Sequence, residues 1–431
     1  MPLELTTADP DFDAVFDRLV AAKREAAVDV REAVTTILDD VRARGDTALV
    51  DYTARFDRLA VEAVAALRVD TDEIAAAREA CNPEAIAALE LAADRIRAFH
   101  ERQLPDDARF TDEAGIEMGY RWTPIQAAGL YVPGGLASYP SSVLMNAVPA
   151  RVAGVGRIAM AVPSPDGALN PLVLAAAHIV GIQEVWRIGG AQAVAALAYG
   201  TDTIAAVDKI IGPGNAYVAE AKRQVFGTVG IDMIAGPSEI LVVADGANDP
   251  AWTAADLLSQ AEHDEVAQAI LITDDAAFAQ AVIAAVADHL KRLPRSAIAA
   301  TSWADHGAVI VVGELADAPP LIDRLAPEHL ALAIDGADAF VARVRHAGSI
   351  FLGRHTPEAV GDYVGGPNHV LPTGRRARFS SGLSVMDFMK RSTLLRCSAD
   401  GLARIGPAAI TLAEAEGLDA HALSVAIRLG Q

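Results

Sequence analysis

The chain has 431 residues, a formal net charge of −21 at pH 7 and two cysteines, Cys81 and Cys397. This length allows two or more folding units with large cores, whereas the acidic balance argues against a nucleic-acid-binding protein, which needs a basic surface. Two cysteines do not make a secreted disulfide framework, and no uninterrupted run of about 18 apolar residues predicts a membrane span. We therefore expect a soluble, cytoplasmic protein without a nucleic-acid or membrane partner.

Residues from about Phe12 to Arg102 are predicted to be helical. Apolar side chains recur at helical spacing on both sides of a break at Gly45. The recurring positions are Val30, Val34, Ile37 and Val41, then Ala48, Leu49, Tyr52 and Phe56. No residue pattern in this part of the chain indicates chemistry.

From Gly115 the pattern changes to short apolar runs that alternate with helical segments. The predicted strands are 127–131, 158–162, 184–188 and 208–211. Strands alternating with helices predict an α/β protein with a parallel sheet. Two glycine-rich turns, 189–192 and 212–215, directly follow strands, where glycine lets the backbone approach a ligand and helix N–H groups are exposed. These turns predict a nucleotide-binding crevice at the carboxyl ends of the strands.

A further predicted strand, 239–244, leads to a helix that begins at Pro250. Its predicted apolar stripe comprises Trp252, Ala255 and Leu258. Gln260 and His263 are three residues apart, so their side chains point the same way from adjacent turns. An imidazole and an amide oxygen on one face can bind a borderline cation such as zinc. Because glutamine is an unusual zinc ligand, a solvated helix end is the alternative interpretation of this pair alone.

The alternation continues after this helix. Strands are predicted at 269–272, 308–312, 330–334 and 349–352, and helices at 276–293 and 399–416. Glu328 and His329 stand side by side at the start of one of these strands. Beyond Gly353 the chain is rich in glycine, proline and polar residues, and such loops after strands are where functional residues concentrate.

Nine short segments together resemble the histidinol dehydrogenase family. They are GLYVPGG (129–135), GGAQA (189–193), GPGN (212–215), AGPSE (235–239), SQAEH (259–263), APEHL (326–330), GDY (361–363), NHVLPT (368–373) and EGLDAH (416–421). One segment would be a weak signal, but nine in the family's order, from about residue 30 to the C-terminus, are specific. The chain departs from the family pattern at Ile234, where a proline is expected, and this position has no expected role.

The resemblance implies an NAD-dependent zinc enzyme that oxidises L-histidinol twice, through L-histidinaldehyde, to L-histidine in the last steps of histidine biosynthesis. Glu328 and His329 would be the acid–base pair, and an imidazole with a pKa near neutrality suits that role. The implied zinc ligands are Gln260, His263, Asp362 and His421. The implied substrate contacts are Ser238, Gln260, His263, His329, Asp362, His369, Glu416 and His421. The implied NAD contacts are Tyr131, Gln192 and Asn215.

The fold implied by the resemblance is an α/β fold of the aldehyde-dehydrogenase-like type, with two incomplete Rossmann-like domains that contain parallel sheets. The expected divisions are an N-terminal arm (1–24), a first domain (25–130 and 239–378) with the metal and catalytic residues, a second domain (131–238) with the NAD loops, and a C-terminal segment (379–431). We expect this last segment to cross to the partner subunit of a homodimer, so that each active site contains residues from both chains.

Two other functions fit parts of the pattern. One is a paralogous enzyme with the same zinc and hydride chemistry on another amino alcohol or diol. Glu416 and His369, which would recognise the amine and imidazole side of the substrate, favour histidinol instead. The other is a ligand-binding protein that holds the metal without turnover, and the presence of both Glu328 and His329 argues against it.

Overall fold

The structure, a computed structural model, describes residues 1–22, 29–134, 139–234 and 236–431. Two positions of the family-like segments, Gly135 and Ala235, lie outside the described residues, as do residues 23–24 of the expected arm. Within the described part of the chain, no helix is both long enough and apolar enough to span a membrane.

The described strands form three sheets. In chain order they are β1 (Leu3–Thr6), β2 (Ala108–Thr111), β3 (Glu117–Pro124), β4 (Ala127–Tyr131), β5 (Arg157–Ala161), β6 (Glu184–Trp186), β7 (Lys209–Ile211), β8 (Gly230–Ile231), β9 (Glu239–Ala244), β10 (Gln268–Thr273), β11 (Ala308–Val311), β12 (His329–Ala333), β13 (Ser349–Leu352) and β14 (Met389–Arg396). The spatial orders are β1-β11-β10-β9-β12-β13, β6-β5-β4-β7-β8 and β14-β3-β2.

The described α-helices connect and cover these sheets. They are α1 (Phe12–Ala21), α2 (Arg31–Arg44), α3 (Asp46–Phe56), α4 (Thr71–Ala76), α5 (Pro83–Glu101), α6 (Pro140–Val152), α7 (Pro171–Ile179), α8 (Gly190–Tyr199), α9 (Ala216–Val225), α10 (Pro250–Ala261), α11 (Ala276–Leu290), α12 (Ser296–His306), α13 (Ala318–Leu325), α14 (Ala337–Val341), α15 (Glu358–Tyr363), α16 (Ala399–Ala415) and α17 (Asp419–Ala426).

The six-stranded sheet is parallel throughout its described strands. Its central strand, β9, has the apolar sequence EILVVA and is buried at every position, as expected for a parallel strand covered on both faces. One face packs against α1 and α13, and the other packs against α10, α11 and α12. Together with the parallel five-stranded sheet, this arrangement confirms the predicted α/β class with two parallel sheets.

The N-terminal residues belong to the six-stranded sheet rather than to a separate arm. β1 is its edge strand and pairs with β11, and the rings of Phe12 and Phe16 are stacked and buried in its core. The sequence could not indicate this strand because only four residues pair, and their partner lies about 300 positions away.

The helices between residues 30 and 101 pack on the five-stranded sheet. Val34, Leu38 and Leu49 share a core with residues of α8 and α9, and α5 packs in a second core with α6 and α7. This packing differs from the expected grouping of 25–130 with 239–378, because the apolar faces of these helices are buried against the other sheet. The boundaries of the independently folding units remain a prediction.

The third sheet is antiparallel and was not expected from the sequence. β14 pairs with β3 along all eight of its residues. Its sequence, MKRSTLLR, is exposed or half-buried throughout, so it lacks the buried alternation that identifies a strand. After β14 the chain forms a hairpin of α16 and α17, and in α16 only Gly401, Gly406 and Ala413 are buried.

Helix α10 begins as predicted, but the predicted stripe is wrong. Asp249 accepts a hydrogen bond from the Ala251 N–H (2.8 Å) and Pro250 follows in the first turn. The apolar side chains that the helix buries are Ala254, Leu257, Leu258 and Ala261. These residues occupy positions i, i+3, i+4 and i+7, which lie on one face of a helix. The predicted residues are spaced by three positions each, and such a series moves gradually around the helix. Trp252 is half exposed and its ring lies against that of His355 instead.

Candidate active site

A left-handed turn places the predicted acid–base pair. α13 ends at Ala326, whose φ of 46° is a left-handed conformation that costs an L-residue roughly 1–2 kcal/mol. The chain then passes through Pro327 and enters β12 at His329. Such strain at a buried alanine is typical of functional sites. Glu328 and His329 are 6% and 3% exposed, so both side chains are withdrawn from bulk water.

Glu239, at the amino end of β9, holds both members of the pair. Its N–H donates to Oε2 of Glu328 (2.9 Å), and the Glu328 N–H donates to Oε2 of Glu239 (3.3 Å). The Glu239 carbonyl oxygen lies 2.9 Å from Nδ1 of His329. Because a carbonyl can only accept, Nδ1 carries the proton and Nε2 is the unprotonated nitrogen. The backbone of Glu239 therefore fixes the tautomer of His329.

Nε2 of His329 is buried and has no hydrogen-bond partner among the described residues. Oδ1 of Asp362 lies 3.7 Å from this nitrogen. Burial lowers the pKa of His329 to about 4, and the charge of Asp362 only partly opposes that shift. The imidazole is therefore neutral near pH 7 and presents a free lone pair, as a general base requires.

A buried acid that the sequence patterns did not single out, Glu358, lies beside this histidine. Oε1 of Glu358 is 3.4 Å from Nδ1 of His329, and Glu358 is 2% exposed. Burial, and then the neighbouring charges of Asp362, Glu328 and Asp256, raise the pKa of Glu358 well above its usual value. Burial also raises the pKa of Asp256 to about 6. In the sequence, Glu358 is four residues from Asp362, and Asp256 is four residues from Gln260. Because side chains four residues apart share a helix face, this spacing could have indicated that both acids lie near predicted ligands.

Gln260 and His263 meet as their spacing predicts. Nε2 of Gln260 lies 2.7 Å from Nδ1 of His263, and Oε1 of Gln260 is buried without a hydrogen-bond partner. Burial lowers the pKa of His369, the charge of Asp362 opposes this shift, and the charge of His263 adds to it. Nδ1 of His369 also lies 2.9 Å from the Asp362 carbonyl oxygen. The structure thus brings together three of the four predicted zinc ligands, with His369 beside them.

Ser238 stands just before β9, without a side-chain hydrogen bond to the described residues of the cluster. It precedes Glu239, is half-buried, and its carbonyl oxygen accepts from the Gln268 N–H (2.9 Å). Glu416 and His421 differ from the other residues predicted to bind zinc or substrate. They are exposed on the α16–α17 hairpin, and no side-chain hydrogen bond or ion pair joins either of them to another described residue. A single chain therefore presents an incomplete set of the predicted ligands.

The donor chemistry of the cluster fits a zinc ion. Two imidazoles, a carboxylate and an amide oxygen are oxygen and nitrogen ligands that zinc accepts, and the unpartnered Oε1 of Gln260 is a buried acceptor in need of a partner. Among the described His, Cys, Asp and Glu side chains, one trio has ligand atoms that all lie within 4.8 Å of one another: His329, Glu358 and Asp362. It shares only Asp362 with the predicted zinc ligands.

The predicted NAD contacts lie at the carboxyl edge of the five-stranded sheet. Tyr131 ends β4, and its hydroxyl oxygen accepts from the Gly190 N–H (3.0 Å), while burial raises its pKa to about 12. Gln192, on α8, is 1% exposed, and its Oε1 has no hydrogen-bond partner among the residues that the structure describes. Oδ1 of Asn215 caps α9 by accepting from the N–H groups of its second and third residues (3.1 and 3.2 Å). Only the Asn215 amide nitrogen is left for a ligand.

These features fit a dinucleotide. The orphaned oxygen of Gln192 needs a hydrogen-bond donor, such as a ribose hydroxyl or an amide. A Cβ at position 212 would lie 2.1 Å from the Tyr131 carbonyl oxygen, so only glycine permits this close approach of two strand ends. The position is also where ligands bind in open α/β sheets.

Comparison with known proteins identifies the relatives of this chain. The family model described as histidinol dehydrogenase matches residues 20–429. The histidinol dehydrogenase of Rhodospirillum rubrum is 65% identical over 432 residues, covering 100% of this chain and 99% of that protein. The corresponding protein of Ruegeria pomeroyi is 64% identical over 429 residues, with 100% and 99% covered.

A solved structure agrees with these relatives. The crystal structure of histidinol dehydrogenase from Elizabethkingia anophelis superposes with a TM-score of 0.95 at 37% sequence identity, covering 100% of this chain and 98% of that chain. The match extends over both parallel sheets, the antiparallel sheet and the C-terminal hairpin. The expected family is thereby confirmed: the chain is an oxidoreductase that belongs to the histidinol dehydrogenase family.

Proposed function

We propose that this chain oxidises L-histidinol to L-histidine in two NAD-dependent steps, through L-histidinaldehyde, as a homodimer with one zinc ion per subunit. The observation that carries the proposal is the buried, unpartnered Nε2 of His329 beside Glu328 and the Gln260–His263–Asp362 cluster. The family to which the chain belongs supplies the substrate and both cofactors. In the cell these steps would complete histidine biosynthesis.

In the first oxidation, His329 would act as the general base. Its Nε2 would take the proton of the substrate hydroxyl while the hydride leaves the same carbon. NAD, when bound, supplies the nicotinamide ring that accepts the hydride. Because Nδ1 stays hydrogen-bonded to the Glu239 carbonyl oxygen, the ring keeps its orientation as its charge changes.

In the second oxidation, water must first add to the aldehyde, because a hydride can leave only from the hydrated carbon. Glu328 would take a proton from that water, and His329 would again take a hydroxyl proton from the hydrate. Oε2 of Glu328 lies 3.7 Å from Nδ1 of His329, so one substrate position can be served by both groups. The first oxidation then releases one hydride and one proton, and the second, from aldehyde and water to the carboxylate, releases one hydride and two protons.

The other residues would bind and orient the substrate. Gln260, His263 and Asp362 would hold the zinc ion together with His421, and zinc, when bound, supplies positions for the imidazole and amine of histidinol. Glu416 would give a negative charge to the substrate ammonium, and Ser238 and His369 would contact its polar groups. Tyr131, Gln192 and Asn215 would contact NAD.

The incomplete set of ligands in a single chain supports the proposed homodimer. Glu416 and His421 lie on the exposed α16–α17 hairpin, which also exposes Leu412 (63%), Leu423 (59%) and Ile427 (59%). Apolar side chains exposed next to the predicted ligands support a buried position for this hairpin in the assembly. A second copy of the chain is the proposed partner, each hairpin completing the site of the other subunit.

A stoichiometric assay tests this function. With limiting L-histidinol and excess NAD, the purified dimer is expected to form two NADH per histidinol consumed. One NADH per histidinol would contradict the two-step reaction, and no turnover would contradict the substrate. Other amino alcohols serve as controls and should react at least about tenfold more slowly, since buried groups that recognise the imidazole would be left unpaired.

The same assay tests the metal. Removal of zinc by a chelator, verified by elemental analysis, is expected to abolish NADH formation, and added zinc is expected to restore it. Full activity of metal-free protein would contradict the ligand roles of Gln260, His263, Asp362 and His421.

The Glu328→Gln variant separates the two oxidations. Glutamine keeps the shape but cannot take a proton from water, so the aldehyde step should slow by about 10²-fold or more while the alcohol step slows less. Single-turnover assays started from L-histidinaldehyde and from L-histidinol measure the two steps separately. Equal losses in both assays would leave Glu328 without a step-specific role.

A further inference from the structure

A buried lysine–aspartate pair lies at the carboxyl edge of the five-stranded sheet. Lys222, on α9, is ion-paired with Asp232, which follows β8, and their side chains are only 3% and 1% exposed. Stability alone does not explain the pair, because replacing a buried ion pair with apolar side chains is often neutral or stabilising. The backbone groups that the pair binds indicate its role.

Both members of the pair bind the backbone of Gly212. Nζ of Lys222 donates to the Gly212 carbonyl oxygen (2.9 Å), and the Gly212 N–H donates to Oδ2 of Asp232 (2.8 Å). β7 ends at Ile211, so these polar groups lie beyond the strand ladder and need side-chain partners. With a φ of 110°, this backbone also has a conformation that glycine alone adopts easily.

Gly212 lies where a bound dinucleotide is expected. β5 and β6 lie on one side of β4, and β7 and β8 lie on the other, so the strand order reverses between β4 and β7. Ligands bind at this switch point in open α/β sheets. The loop 212–215 runs from Gly212 to Asn215, which caps the start of α9. The orientation of Gly212 therefore sets the direction of the whole loop.

We propose that Lys222 and Asp232 are positioning residues for the dinucleotide: by holding both polar groups of Gly212, they keep loop 212–215 in the shape that receives NAD. Neither side chain has to contact the cofactor. The inference rests on the proposed NAD dependence and adds two residues to it. It also assigns the two charges a role that is separate from the metal cluster.

The test is a binding measurement on the zinc-loaded dimer. The variant Lys222→Met/Asp232→Asn removes both charges, so no unpaired charge stays buried. Its Kd for NADH, from fluorescence titration without turnover, should rise about tenfold or more, because small misplacements of binding groups have effects of this size or larger. Its zinc content and its Kd for L-histidinol, from calorimetry without cofactor, should stay within about twofold of the unmodified protein.

A second ion pair provides the matched control. Arg157 and Glu184 begin β5 and β6 at the opposite edge of the same sheet, with two hydrogen bonds of 2.8 Å between them. The variant Arg157→Met/Glu184→Gln should bind NADH as the unmodified protein does. An equal loss in this control would mean that the sheet, and not the loop, is affected, and would overturn the proposal.

The remaining outcomes also decide the question. An unchanged Kd for NADH in the Lys222→Met/Asp232→Asn variant would overturn the positioning role. If that variant does not fold, Asp232→Glu decides, because it keeps both charges but moves the carboxylate relative to the Gly212 N–H, so the Kd should rise by a smaller factor, and an unchanged Kd would overturn the positioning role. Failure of the unmodified protein to bind NADH would instead overturn the proposed function, and the positioning role with it.

Discussion

Replacing His329 with asparagine is expected to lower kcat for L-histidinol oxidation by about 10²–10⁴-fold, the usual contribution of a general base. Asparagine can still donate a hydrogen bond to the Glu239 carbonyl oxygen, but it has no group that takes a proton. Nε2 is the unprotonated nitrogen of a buried, neutral ring, and asparagine leaves no such proton acceptor at that position. The variant should bind NADH and zinc normally.

His355→Asn is the matched control for this variant. His355 is exposed and its ring lies against that of Trp252, away from Glu328 and His329, so the same substitution there should leave kcat within about twofold. A His329→Asn protein that keeps its zinc and retains more than about a third of the unmodified kcat would exclude His329 as the base, because such a loss is far below the range for general-base catalysis.

The buried parallel strands were the most predictable part of the fold. β4, β9 and β13 begin and end where the sequence places them, because each is a short apolar run between turn residues. β1 and β14 could not be predicted in this way. Their pairing partners lie hundreds of residues away, or across an exposed antiparallel sheet, and neither carries a buried pattern of its own.

The site was predictable where its members are neighbours in sequence. Gln260 is in the last turn of α10 and His263 is in the turn that follows, and Glu328 stands next to His329, so their short spacing brings each pair together. The spacing of Glu358 and Asp362 indicates only a shared helix face. The position of Glu358 beside His329 depends on a tertiary contact between α15 and the start of β12, which no local pattern records.

The same limit applies to Glu239 and to the Lys222–Asp232 pair. Glu239 was visible only as a member of the AGPSE segment, whereas its contacts show that its backbone orients His329. Lys222 and Asp232 are ten residues apart on different elements, and their shared partner, Gly212, lies in a third. Sequence patterns identify the residues that perform chemistry more readily than those that hold them in place.

Two inactive variants are expected to restore activity to each other if the C-terminal hairpin crosses the dimer. In that arrangement each site combines His263 of one chain with His421 of the other. His263→Ala and His421→Ala proteins, each inactive alone, are unfolded and refolded together. Random reassembly makes about half of the dimers mixed, and in each mixed dimer one site carries both lesions and the other carries neither. About a quarter of the unmodified activity should therefore return if the two sites act independently.

The control combines two lesions in the body of the chain. When His263→Ala is refolded with His329→Asn, each site of a mixed dimer keeps one lesion, because both residues come from the same subunit. No activity should return in that mixture, although mass spectrometry should find as many mixed dimers as before. If the hairpin folded back onto its own chain, the His263→Ala and His421→Ala mixture would behave like this control. Recovery in the first mixture and not in the second requires that His421, and with it Glu416, reach the site from the partner subunit, as their exposure in the single chain leads us to expect.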